Sequence, residues 1–85
     1  MPNVSSKKIV PVLVTINGNG KTSMDRAERG IERFLWAIEG DVKVAFENTE
    51  YELHENDTLY FDASAPHQVI NTGSRAAKLL SISAK

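Results

Sequence analysis

The stretch Asn56-Asp57-Thr58-Leu59-Tyr60-Phe61-Asp62-Ala63-Ser64-Ala65-Pro66-His67-Gln68-Val69-Ile70-Asn71-Thr72-Gly73 decides how the rest of the chain is read. A polar turn leads into a short apolar run, a Pro66-His67 pair follows, and a second short run ends at another turn. That pattern is strand, loop, strand. It places the imidazole of His67 near the start of a strand with Asn71 four residues on, so at strand period both side chains point to one face.

Working outward, the residues on either side repeat the theme. Upstream, Val42, Val44 and Phe46 alternate with Lys43, Ala45 and Glu47, a tight turn falls at Asn48-Thr49, and Tyr51 and Leu53 alternate with Glu50 and Glu52. This is a β-hairpin with one buried face. Downstream, Thr72-Gly73-Ser74 turns the chain, and Ala76 to Ser83 forms a last strand with Leu80 and Ile82 on one face and Leu79 on the other. Short strands punctuated by turns at this spacing argue for an antiparallel sandwich or barrel.

The N-terminal half is less uniform. Ile9 to Ile16 reads as a strand, and Pro11, which lacks a backbone donor, places it at a sheet edge. Asn17-Gly18-Asn19-Gly20 is a strong turn signal. From Met24 to Ile38 two readings compete. Met24, Ala27, Ile31, Phe34, Leu35 and Ile38 fall at helical spacing behind a capping-box-like Thr22 to Asp25. Against the helix stand Gly30, worth roughly 1 kcal/mol, and the β-branched and aromatic content of Ile31 to Ile38. As a strand, the segment puts Phe34, Trp36 and Ile38 on one face and Arg33, Leu35 and Ala37 on the other.

Composition narrows the function classes. Eighty-five residues suffice for one domain, here residues 9–85 behind a polar, flexible tail at 1–8. With no cysteine, disulfides, thiolate metal sites and cysteine nucleophiles are excluded. Ten Lys and Arg against eleven Asp and Glu, with no basic cluster beyond Lys7-Lys8, argue against nucleic acid as a partner. No stretch has the length of a signal-peptide core or a membrane span, so the expected location is the cytoplasm, with no membrane partner.

Two segments resemble the motifs of the cupin family. Ile31 to Gly40 is similar to the first motif's strand ending in a glycine turn, and Asp57 to Gly73, with Pro66, His67 and Asn71, is similar to the second. The resemblance spans roughly residues 9 to 83 and implies an all-β, antiparallel jelly-roll barrel, which resolves Ile31 to Ile38 as a strand. It also implies a departure. Metal-binding cupins carry two histidines and a glutamate in the first motif, aimed with the second-motif histidine at one cation. Here Asp25 to Arg33 contains no histidine, and Arg33 stands where the glutamate is expected. An arginine repels a divalent cation. No cofactor is therefore assigned; a noncanonical divalent metal would have Glu28 and His67 as ligands, since Glu32 faces away if Arg33 faces inward.

The candidate site residues follow. His67 is the candidate acid, base or hydrogen-bonding group inside the barrel, or else a satisfied histidine that belongs to the fold. Arg33 offers a planar fork to an anionic ligand, or else pairs with Glu32 or Glu28. Asn71 orients His67 or caps the turn before Thr72-Gly73. Tyr60 is a candidate hydrogen-bonding wall, or core and interface filler. His54, in a polar stretch, is expected to be exposed and inert, and the alternating charges of Asp25 to Arg33 to be a solvated, self-paired surface. The expected function is a binding module for a small polar or anionic molecule. The alternatives are an isomerase, hydrolase or lyase using His67 on a small carbohydrate or carboxylate, and a structural dimeric module. Phe34, Trp36 and Ile38, turned outward, point to a homodimer through that sheet.

Overall fold

The computed structural model describes residues 9–85, so the expected tail at 1–8 lies outside the described residues. Seven strands follow one another: β1 (Ile9–Ile16), β2 (Glu32–Glu39), β3 (Val42–Phe46), β4 (Glu50–Leu53), β5 (Thr58–Asp62), β6 (His67–Ile70) and β7 (Ala77–Ala84). They form two antiparallel sheets, one in the order β1-β7-β2-β5 and the other β4-β3-β6. The chain between β1 and β2 completes the second sheet. Lys21 bridges Ile70 and Asp25 bridges His67, both antiparallel, so residues 21–25 run alongside β6 as its outer neighbour. With that segment counted, two facing four-stranded layers make a jelly roll, as expected. The helical spacing of Met24 to Ile38 is not used: Thr22, Asp25 and Ala27 spend their backbone donors on Val69, His67 and Ala63. Gly30, at φ 92°, then turns the chain into β2.

Alternation decides which side chains meet between the layers. Leu35 and Ala37 of β2, Val42 and Val44 of β3, Leu53, Val69, Ala77 and Leu79 are buried together with Ile16, and Val14, Phe46, Leu59 and Phe61 pack against them. Arg33 shares this inward face with Leu35 and Ala37, its register neighbours being Phe61 on β5 and Ser83 on β7. The outer face of the same sheet carries Leu13, Leu80, Ile82, Phe34, Trp36 and Tyr60. Ile38 falls at a bulge between β2 and β7.

Asn71 closes one end of the sandwich. Its buried amide nitrogen donates to the carbonyls of Ile16, Asn17 and Arg75, at 3.0, 3.2 and 2.6 Å, and its oxygen accepts from Gly73 N at 3.0 Å. The turn role is therefore the one Asn71 performs, and its expected place among ligand contacts is corrected, because every hydrogen bond it makes goes to backbone. Gly18 belongs to the same clasp, where a Cβ would collide with the Ser74 carbonyl. The described residues contain no helix long and apolar enough to cross a membrane.

Candidate functional site

His67 is the first residue of β6, and the turn before it is built to aim its ring. Asp62 Oδ1 accepts from both Ser64 N and Ser64 Oγ, and the loop that this fixes brings the Ala65 carbonyl to 2.7 Å from His67 Nδ1. Phe61 and Phe46 flank the ring, with centroids at 4.8 and 5.9 Å, and the side chain is almost wholly buried. Nδ1 faces a carbonyl, which only accepts, so Nδ1 carries the proton. Nε2 is then an acceptor. Its donor is Arg33 Nη1, 3.0 Å away across the sandwich from β2.

Arg33 ties three elements together. Its Nε donates to Ser83 Oγ on β7 at 2.9 Å, and Nη1 donates both to His67 Nε2 and to Asp25 Oδ2, the latter at 2.6 Å. Its charge partner is thus Asp25, not the expected Glu32 or Glu28. The hydrogen bond from Arg33 holds the Asp25 carboxyl below its ordinary range, against a smaller opposing effect of burial. In the sequence Asp25 enters as the last residue of a capping-box-like Thr22 to Asp25, and that helix does not form. Asp25 also belongs to a charge run that reads as solvated surface, yet the backbone pairing of residue 25 with His67 carries its side chain to the site. The jelly-roll resemblance holds the signal that finds it: such a fold needs a strand between the Asn17-Gly20 turn and β2, and Asp25 is the acidic residue on it.

A cavity of about 300 Å³ opens beside Arg33, Asp25 and His67. Val14, Met24, Leu35, Val69 and Leu79 give it apolar walls, and Thr22, Ser23 and Ser81 add hydroxyl-bearing side chains. The remaining candidates lie elsewhere. Tyr60 is 64% exposed on the outer face of the sheet, where its hydroxyl donates to Glu32, so its expected place inside the barrel is corrected. It lines a separate depression of about 400 Å³ with Phe46, Tyr51 and Phe61. Glu28, the expected metal partner of His67, sits on the surface with Oε2 3.7 Å from Lys85 Nζ. His54 is exposed beside Asp57, as expected.

The donor set answers whether a divalent cation fits. A cation would need the Nε2 lone pair together with further neutral or anionic donors. That lone pair faces a guanidinium at 3.0 Å, and among the described residues no group of three or more His, Cys, Asp or Glu is arranged to hold a metal. The residues present do not fit one.

Comparisons with known proteins agree with the geometry of the fold. A family model described as "Cupin domain" matches residues 12–83. No curated protein matches the chain. Among solved structures, an HTH_3 family transcriptional regulator from Vibrio cholerae superposes with a TM-score of 0.85 at 20% identity, over 100% of this chain and 47% of its own. A sugar phosphate isomerase from Silicibacter pomeroyi gives 0.79 at 20% identity, over 91% of this chain and 50% of its own. The Cupin_2 domain of an XRE family transcriptional regulator from Enterobacter cloacae gives 0.79 at 15% identity, over 91% and 94%. The chain spans about half the length of the isomerase and of the Vibrio regulator. At these identities the likeness is one of fold.

Proposed function

Because this chain belongs to the cupin domain family, whose fold places a cavity between its two sheets, we propose that it is a binding module that holds a small polar or anionic molecule there, with Arg33 and His67 as contacts and without a metal. One observation carries the reading: Arg33, in hydrogen-bond contact with the histidine, opens onto a cavity of about 300 Å³ with mainly apolar walls. A fixed guanidinium in such a setting recognises anions by charge and by its planar fork. Both imidazole nitrogens are engaged, Nδ1 by Ala65 O and Nε2 by Arg33, which supports binding over acid–base catalysis. Similarity in fold to one transcriptional regulator and to the Cupin_2 domain of another is in keeping with a ligand-sensing role. A thermal-shift screen against small acids and sugars tests this. Ligands that stabilise the wild type should lose their effect in Arg33→Ala and His67→Ala, and stabilisation unchanged in both variants would move the ligand elsewhere.

The proposal extends to assembly in a two-fold homodimer. Leu13, Trp36 and Tyr60 are 63%, 37% and 64% exposed on one sheet face, continuous with Phe34, Leu80 and Ile82. Charges frame this patch only at its ends, Lys78 and Glu39 at one and Glu32 and Asp62 at the other. A copy packed with its strands reversed covers the apolar residues of each face with those of the other, which makes a second copy of this chain the proposed occupant.

A further inference from the structure

The way Asp25 holds Arg33 bears on what the cavity takes. Asp25 offers one oxygen only: Oδ2 accepts from Nη1, while Oδ1 is committed to the backbone N–H of Arg26 at 2.8 Å. Nη2 has no hydrogen-bond partner among the described residues, none of which leaves a fully buried polar side-chain atom unpartnered, so Nη2 is not fully buried. Of the two nitrogens of the guanidinium's outer fork, Nη1 thus meets one carboxylate oxygen and the His67 ring, and Nη2 meets no protein acceptor. The Asp25 side chain is 57% exposed, so it can turn into water without leaving a buried charge behind. A carboxylate bridging Nη1 and Nη2 makes two parallel charge-assisted bonds where Asp25 makes one. Exchange of one carboxylate for another on a shared cation is close to neutral in charge. What then decides occupancy is burial of the incoming molecule's body against Val14, Met24, Leu35, Val69 and Leu79.

We infer that the ligand is a small carboxylate with an apolar body, and that the Asp25 side chain is a resident competitor which the ligand's carboxylate displaces from Arg33. This rests on the cavity being the binding site proposed above and names what it selects.

Calorimetric titration of wild type, Asp25→Asn and Asp25→Ala with butyrate, hexanoate and octanoate, and with the amides of the same acids, separates the two levels of the argument. Wild-type Kd should fall about fourfold per added methylene until the cavity is full. Removing the competitor should tighten carboxylates by roughly two- to fivefold and leave the amides unchanged. Wild-type binding that neither substitution tightens would overturn the competitor role and leave the binding module standing. No binding of any acid or amide by any of the three proteins would overturn the assignment of an apolar carboxylate, and only a thermal-shift screen in which no small acid or sugar stabilises the protein would overturn the binding module with it.

Discussion

Replacement of Asn71 by alanine should cost more than any other single polar truncation in this fold. The amide makes four hydrogen bonds to backbone groups, of which the one to Ile16 O is buried and those to Asn17, Arg75 and Gly73 are partly so. A buried group left without its partner costs about 1–3 kcal/mol, and three partly solvated ones about 0.5–1 kcal/mol each, giving a total of roughly 2.5–6 kcal/mol. A chain of 85 residues is stable by only about 4–13 kcal/mol, so the variant should be marginal. Urea unfolding at neutral pH reads this directly as a lower midpoint with an unchanged m-value. Asn71→Asp sharpens the test, because it keeps the shape and replaces a donor facing three carbonyls with an acceptor. The introduced carboxylate is repelled there, so its folded-state pKa is raised and stability should recover as pH falls. A loss below about 1 kcal/mol for Asn71→Ala, within the worth of one ordinary hydrogen bond, would refute the clasp.

Three further outcomes follow from particular contacts. The Asp25 carboxyl is held below its ordinary range by Arg33, so its contribution is present above the unfolded carboxylate range and lost as pH falls through the lower, folded value; unfolding curves of wild type and Asp25→Asn should differ at neutral pH and converge in acid. Gly18→Ala drives a methyl group into the Ser74 carbonyl and should cost roughly 1–3 kcal/mol by the same urea assay, whereas Gly73→Ala meets only the Asn71 side-chain oxygen, at 3.5 Å. The proposed dimer predicts twice the chain mass by light scattering at micromolar concentration and the chain mass for Trp36→Glu; a wild-type monomer would refute it.

Alternation makes the buried Val42, Val44 and Leu53 of β3 and β4 legible from residues alone, whereas Tyr51, expected on the same buried face, is 47% exposed at the end of the hairpin. β1 and β4 end where turn signals place them, and β2 and β7 shift by one residue. What composition hides is the segment at 21–25. It pairs through two isolated bridges rather than a continuous ladder, and its polar residues carry no apolar period. For that reason Asp25, which completes the Arg33–His67 site, reads as surface. His67 and Arg33 are legible because they stand on strands whose parity turns them inward. Parity does not say which layer's outer face lies bare, and so Tyr60, one residue from the inward Phe61, ends on the outside with Glu32.

The central claim is that Arg33 and His67 form one ligand site between the sheets. It is tested most directly by following the nitrogen resonances of the Arg33 guanidinium and the His67 imidazole while hexanoate is titrated into the wild-type protein. Both should shift saturably with a single Kd, together with the methyl groups of Val14 and Leu79, while the rings of Tyr51 and Tyr60 stay still. Saturable shifts at Phe46, Tyr51 and Tyr60 with none at Arg33 would place binding in the other depression and contradict it.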